Sequence, residues 1–317
     1  MLNIKIPLSV APDKKNEYIK NYTRLTGGTG RLLLIAADQK VEHLNDDFFG
    51  LNIAPEDNNP EHIFQIAAQS QGGILASHLG LIARYGKKYP QTPYLIKLNG
   101  KTNLEAQTEK NSSQLWWTVE DIVNFKKQSG LKIIGIGYTL YLGGHYEAKM
   151  LATIARAIYQ AHQNGLMAVL WVYPRGPKIK EEDIHTIAGG AGVAACLNAD
   201  FVKVKYPYSL KDKKSTAEKF QEVTRAAGET KVICVGGNKR PIKEILEHLE
   251  KQIKISQTAG LAFGRNLHQR SLPEAIRLLR AMEAIIFKNK SYQEAYKIYT
   301  QKEITKPKKN RSFLGIF

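Results

Sequence analysis

Trp171-Val172-Tyr173-Pro174-Arg175-Gly176 and Asp200-Phe201-Val202-Lys203-Val204-Lys205-Tyr206 decide the fold of this chain. Each is a short apolar run that carries reactive side chains where a buried strand would carry apolar ones. Strand side chains alternate between two faces. Trp171 therefore shares a face with Tyr173, and Lys203 shares one with Lys205. Between the two runs, residues 181–197 repeat apolar positions at three- and four-residue spacing, which predicts a helix. Strand, helix, strand is the unit of a parallel sheet. A lysine inside such a strand is costly unless it has a partner or a task.

The same unit recurs along the chain. Strands are predicted at 32–37, 74–76, 94–98, 133–137, 168–172, 201–204, 232–235 and 261–263. Helices are predicted at 61–71, 119–128, 147–163, 181–197, 215–227, 241–254 and 272–287, with Pro241 and Pro273 near two helix starts. Eight such units over about 250 residues predict a (β/α)8 TIM barrel. An open doubly wound sheet would place a Gly-x-Gly-x-x-Gly turn after its first strand. Here that strand runs into Asp38-Gln39-Lys40-Val41-Glu42-His43, and Gly27-Gly28-Thr29-Gly30 precedes it. We therefore expect one barrel at 31–288, an N-terminal lead-in helix at 1–30 that caps its bottom, and a basic helix and tail at 289–317. Residues 99–117 read as a long polar loop of the kind used for binding.

Composition narrows the function. The chain has 317 residues, 43% of them hydrophobic, and a formal charge of +17. No apolar run reaches the roughly 18 residues of a membrane span, and residues 1–20 show no signal-peptide pattern. Cys196 and Cys234 sit in apolar segments without metal spacing, which fits reduced thiols in a cytoplasmic protein. Much of the positive charge is local, at Lys211, Lys213 and Lys214 and at Lys302, Lys306, Lys308, Lys309 and Arg311. A basic nucleic-acid-binding protein is the remote alternative. It lacks zinc-finger spacing, RNA-binding motifs and aromatic-basic repeats, so we expect no nucleic-acid or membrane partner.

The polar residues gather at one end of every strand, where a barrel keeps its active site. Asp38 follows the first strand, Asn99 the third, and Tyr138 and Tyr141 the fourth. Trp171, Tyr173 and Arg175 end the fifth, and Lys203 and Lys205 lie on the sixth. Gly236, Gly237 and Lys239 follow the seventh, and Gly264, Arg265 and Asn266 the eighth. The last two groups predict a phosphate site, because a Gly-Gly turn lets backbone N–H groups approach an anion and Lys239 and Arg265 add charge. The lysines predict Schiff-base chemistry. An amine nucleophile needs its pKa lowered from about 10.4 by burial or a second cation. Lys203 and Lys205, about 6–7 Å apart by strand rise, would each be the other's second cation. Spacing does not choose between them. A buried carboxylate such as Asp38 or Asp200 is the alternative partner. Tyr173 is placed to move protons, and Trp171 to wall the pocket. No metal constellation is visible around His43, His78, His145, His162 or His185, so we expect no metal and no other cofactor.

The chain resembles the archaeal-type class I fructose-1,6-bisphosphate aldolases, within the Schiff-base barrel aldolases that include deoxyribose-phosphate aldolase. The resemblance runs over about residues 30–285. It rests on residues 37–43, on Gly137-Tyr138-Thr139-Leu140-Tyr141 with Glu147-Ala148, on Trp171–Gly176, on 199–206, on Val235-Gly236-Gly237-Asn238-Lys239, and on Gly264-Arg265-Asn266. It implies a Schiff base at Lys203, proton transfer by Tyr173, electrostatic help from Asp38 and a pocket shaped by Trp171. It also implies one phosphate held by Gly236, Gly237, Lys239, Gly264 and Arg265, and Arg175 facing the far phosphate or hydroxyls. Lys205 and His43, in the same motifs, join the candidates for substrate contact. The implied substrate is a phosphorylated sugar, cleaved reversibly in glycolysis or gluconeogenesis by a homo-oligomer. A transaldol step toward an aromatic amino-acid precursor, on another sugar phosphate, is the alternative. Gln39-Lys40 stands where relatives often have His-Gly, and Pro207-Tyr208-Ser209 where they often have Thr-Gly-Asp. Both changes fall in substrate-facing loops.

Overall fold

Eight parallel strands close on themselves in the computed structural model, which describes residues 3–104, 111–177, 179–208 and 212–301. The strands are β1 (Leu32–Ala36), β2 (Ile74–His78), β3 (Tyr94–Lys97), β4 (Asn99–Gly100), β5 (Gln114–Leu115), β6 (Ile133–Leu142), β7 (Met167–Pro174), β8 (Phe201–Val204), β9 (Lys231–Val235) and β10 (Gly260–Phe263). The barrel order is β1-β10-β9-β8-β7-β6-β3-β2, while β4 and β5 form a small antiparallel pair within the predicted 99–117 loop. The expected (β/α)8 barrel is therefore the fold. The tail lysines, Lys211 and Ser209 lie outside the described residues.

Helices alternate with these strands. They are α1 (Lys15–Leu25), α2 (Gln39–Glu42), α3 (Glu61–Ala67), α4 (Leu79–Tyr85), α5 (Val119–Ser129), α6 (Glu147–Gln163), α7 (Ile184–Cys196), α8 (Lys213–Lys219), α9 (Gln221–Ala226), α10 (Ile242–Lys254), α11 (Arg265–His268), α12 (Leu272–Lys288) and α13 (Tyr292–Thr300). Most match the apolar spacing. α4 was not legible, because seven residues give barely two turns of pattern. The helix expected at 215–227 divides at Phe220 into α8 and α9. Among the described residues no helix is long and apolar enough to cross a membrane.

Two apolar layers follow from strand alternation. Leu34, Leu95, Ile134, Val169, Phe201 and Ile233 fill the barrel interior. Their sequence neighbours, such as Leu33, Ile96 and Val202, face the surrounding helices. β6 and β7 are longer than expected and stay in register from Gly135↔Met167 to Leu142↔Pro174. Tyr138 and Tyr141 are thus on a strand rather than after one. Gly137 is required by a close approach. A Cβ there would stand 2.6 Å from the Trp171 ring and 2.7 Å from Leu95.

α1 closes the bottom. Tyr18 and Leu25 pack with Val10 against the inner strand residues. The Tyr18 hydroxyl donates to Asp200 Oδ1, and Asp200 Oδ2 accepts from Ala168 N at 2.7 Å and lies 3.2 Å from His162 Nε2. Burial and then the Asp200 charge push the Tyr18 phenol up. Asp200 is thus committed to the bottom of the barrel and pairs with neither Lys203 nor Lys205. Replacing Asp200 by alanine removes the partner of the buried Tyr18 hydroxyl, of His162 Nε2 and of the Ala168 amide at once. We expect it to cost about 3 kcal/mol in a denaturant melt while turnover per folded molecule stays unchanged, since the network is remote from the strand tops. A midpoint unchanged from the native chain would contradict this account of the plug.

At the other end of the chain, α13 lies on α10 and α12. Ser291 caps it, Ala295 is buried, Tyr292 N donates to Glu250 at 3.2 Å, and the Tyr299 hydroxyl donates to Glu274 at 3.2 Å.

Candidate active site

A cavity of about 620 Å³ opens at the C-terminal ends of the strands. Its wall includes Asp38, Glu42 and His43 after β1, Trp171 and Tyr173 from β7 with Arg175 just after it, and Lys203 and Lys205 at β8. Gly236, Gly237 and Arg240 follow β9, and Gly264 and Arg265 follow β10. Most of the residues singled out on separate strands therefore converge on one space; Asn99, Tyr138, Tyr141, Lys239 and Asn266 do not line it.

Lys203 sits beside Trp171 of β7 and Ile233 of β9 in register. Phe201 on the same strand faces the barrel interior, so alternation turns Lys203 inward as well. It is 5% exposed, and no hydrogen bond or ion pair reaches its amine among the described residues. Burial pushes the amine down to about 8; Asp38 opposes the fall and Lys97 adds to it. An amine with that pKa is neutral in roughly one molecule in ten at pH 7, far more often than a free lysine.

The second cation is not Lys205. β8 ends at Val204, so the alternation that put both lysines on one face stops before Lys205. Its ammonium turns to the rim, 3.6 Å from Glu181 and 3.3 Å from Glu182. The second buried ammonium belongs to Lys97 on β3. It lies 3.5 Å from Asp38 Oδ2 and donates to Thr139 Oγ1. Both lysines stand against the Trp171 indole, with ring-to-Nζ distances of 4.4 Å for Lys97 and 4.9 Å for Lys203.

Asp38 is buried. Burial alone would raise its carboxyl, but the Lys203 and Lys97 charges outweigh it and hold the group below the usual carboxylate range. His78, beside Lys97 in register, packs at a tilt on Trp116, with ring centroids 4.8 Å apart. Burial and then Lys97 push its imidazole down to about 4, so it is neutral at pH 7. Tyr173 stacks with Tyr141 at 6.2 Å, and the Arg175 guanidinium covers both rings. Burial, then the negative charges of Glu42 and Asp38, push the Tyr173 phenol up. Its resting form is the protonated phenol, a proton donor aimed into the cavity.

The loops after β9 and β10 are built together. Gly237 has φ +68, a left-handed value that suits glycine and curves backbone N–H groups toward one side. Asn266 holds this loop, donating to the carbonyls of Gly236, Gly237 and Asn238 at 3.2, 3.2 and 2.8 Å and accepting from Arg240 N at 2.9 Å. Arg265 Nε lies 3.7 Å from Asp47, which also holds His43. Lys239 points away: its ammonium donates to the carbonyls of Asn52 at 2.5 Å and Gln269 at 3.2 Å. Arg240 lines the cavity in its place, stacked on Tyr208 at 3.8 Å. The loops offer backbone donors plus arginine, which suits a phosphate monoester. At the opposite rim Arg175 Nε is 3.6 Å from Glu181.

Sequence reasoning missed Lys97, Glu42 and Arg240. Lys97 carried the same signal as Lys203, a lysine inside an apolar run, and only the register showed that it reaches the indole.

A buried amine, a phenol, a fixed carboxylate and loops with backbone donors and arginine in one barrel mouth suit carbonyl chemistry on a phosphorylated substrate. The family model described as DeoC/LacD family aldolase matches residues 32–270. The chain belongs to the DeoC/LacD family of aldolases. One relative of this aldolase is the fructose-bisphosphate aldolase/6-deoxy-5-ketofructose 1-phosphate synthase of Methanocaldococcus jannaschii, 50% identical, with 94% of each chain covered. The class 1 fructose-bisphosphate aldolase of Halobacterium salinarum is 31% identical over 84% of this chain and 94% of its own. Among solved structures, a fructose-bisphosphate aldolase from Slackia heliotrinireducens superposes with a TM-score of 0.91 at 44% identity, covering 98% of both chains. An archaeal fructose-1,6-bisphosphate aldolase, solved with its catalytic lysine bound to the carbinolamine intermediate, gives 0.72 at 28% identity over 85% of this chain and 99% of its own.

Proposed function

We propose that this aldolase reversibly cleaves fructose 1,6-bisphosphate to dihydroxyacetone phosphate and glyceraldehyde 3-phosphate through a Schiff base at Lys203. The observation that carries the reading is the Lys203 amine, buried, depressed in pKa and open to a cavity that also holds Tyr173 and Asp38. The neutral amine adds to the C2 carbonyl to give a carbinolamine. Tyr173 gives its proton to the departing hydroxyl, which leaves as water, and an iminium and a phenolate remain. The iminium withdraws the electron pair of the C3–C4 bond as that bond breaks, and the phenolate takes the C4-hydroxyl proton. Aldehyde and enamine result. Tyr173 then protonates the enamine at C3, and water returns the ketone and the free amine. Asp38 lies where it offsets the iminium charge. One phosphate rests against Gly236, Gly237 and Arg265, and the other faces Arg175 and Lys205.

The Methanocaldococcus jannaschii relative carries a second name, 6-deoxy-5-ketofructose 1-phosphate synthase. That supports a second reading, in which the same enamine is passed to another aldehyde acceptor. Borohydride trapping with mass mapping, run against a panel of ketose phosphates, tests both. Fructose 1,6-bisphosphate should give the fastest cleavage and an adduct at Lys203. Cleavage of another ketose phosphate with none of the bisphosphate would move the assignment to the second reading. We further propose that the enzyme works in the cytoplasm in glycolysis or gluconeogenesis, as a homo-oligomer. Its two unpaired thiols, Cys196 and buried Cys234, fit a reducing compartment.

A further inference from the structure

The two loops on the phosphate side of the cavity are joined by a residue that lies outside it. Arg270 stands between α11 and α12, is 7% exposed, and is not among the residues that line the cavity. Its guanidinium divides three ways. Nε donates to the Asn266 carbonyl at 2.9 Å, Nη2 donates to the Arg240 carbonyl at 2.9 Å, and Nη1 donates to Glu274 Oε1. Glu274, four residues on, would by itself make an ordinary local ion pair that uses one nitrogen. The other two bonds reach carbonyls of separate loops, one after β10 and one after β9. A planar group whose donors have fixed directions suits such a bridge. The outer end is fixed as well, because Glu274 also accepts from the Tyr299 hydroxyl of α13 at 3.2 Å.

The backbone of Arg240 is thus held on both sides. Its N–H donates to the Asn266 side chain at 2.9 Å, and its carbonyl accepts from Arg270. Asn266 grips the carbonyls of Gly236, Gly237 and Asn238 with its amide while its own carbonyl accepts from Arg270. Among the described residues the Gly237 and Asn238 amides donate to no backbone carbonyl, and both residues line the cavity. We propose that Arg270 is a positioning residue for the substrate phosphate, clasping the loop after β9 to the loop after β10 and so setting the spacing between the Gly237 and Asn238 amides and the side chains of Arg240 and Arg265. It acts through Asn266 and Arg240 rather than by touching the substrate. A phosphate monoester takes several donors at once, so a shift of one loop against the other weakens all of them together.

The clasp rests on the Schiff-base reading above, and the test keeps the two apart. KM and kcat for fructose 1,6-bisphosphate are measured for the native chain, Arg270→Met and Arg270→Lys. The rate of borohydride trapping at Lys203 by dihydroxyacetone, which carries no phosphate, is measured beside them. In Arg270→Met, KM should rise about tenfold with kcat within about threefold of native, as when binding common to ground and transition states is lost. Trapping by dihydroxyacetone should stay within about twofold of native, because no phosphate is there to be positioned. Arg270→Lys keeps the charge but has one nitrogen where the clasp uses three, so its KM should rise about threefold or more. It also carries the test if the methionine variant fails to fold. A bisphosphate KM unchanged in both variants would leave Arg270 a local partner of Glu274 and overturn the proposal. Dihydroxyacetone trapping lowered by the same factor as kcat/KM would overturn it too, since general damage to the barrel would then explain both. A lysine variant with native KM would show that charge alone suffices and would overturn the bridging role. A native chain with no adduct at Lys203 from either compound would instead sink the Schiff-base reading, and this proposal with it.

Discussion

Lys203→Met should lower kcat on the order of 10⁵-fold and abolish trapping by borohydride. The methionine fills the same volume, so the barrel is expected to keep its stability. On the proposed mechanism, what is lost is the iminium that serves as the sink for the C3–C4 electron pair. Lys203→Arg should be as inactive, because a guanidinium stays protonated at every accessible pH and cannot add to a ketone. The pH profile of the native chain carries the complementary signal. Burial lowers the Lys203 amine to about 8, so the protonated form dominates below that pH and initial adduct formation should rise tenfold per unit there, then level off above it. Residual turnover of Lys203→Met within tenfold of native, or a stable adduct at Lys97 or Lys205, would end the assignment.

Tyr173→Phe should lower kcat by about 10²- to 10⁴-fold while leaving KM nearly unchanged. Phenylalanine keeps the ring that stacks on Tyr141 and carries the Arg175 guanidinium, so packing and the far anion site persist. Only the proton is removed. Iminium formation slows but still reaches equilibrium, so long incubation with dihydroxyacetone phosphate and borohydride should label Lys203 to full stoichiometry. Exchange of the C3 proton with solvent should fall in parallel with cleavage. Turnover within threefold of native would transfer the proton step to another group, and Tyr141, whose hydroxyl lies 3.4 Å from Glu42, is the nearest alternative.

The barrel was legible because strand and helix periods differ and alternate eight times. Legibility failed where a residue's role depends on register. The apolar runs at 94–98 and 201–204 each hold one lysine, but nothing local says that Lys97 and Lys203 both reach the Trp171 ring. Pairing of β3 with β6 and of β7 with β8 decides that. Lys205 failed in the opposite way, since alternation applies only while the strand lasts and β8 ends one residue earlier. Lys239 looked like a phosphate ligand by its place in the Gly236–Gly237 turn. The carbonyls of Asn52 and Gln269, far away in sequence, compete for its ammonium and win. Gly237, Gly264 and Arg265 do line the cavity, because their placement follows from the strand ends alone.

The bare backbone at Gly137 has a consequence for how this site can vary. Any side chain there would occupy the space of the Trp171 ring. A chain that acquires one at position 137 must give up the indole in the same step, and with it the ring against which both buried ammonium groups stand. Positions 137 and 171 are therefore tied in inheritance, and the pair sets a boundary on which substitutions a Lys97–Lys203 arrangement survives.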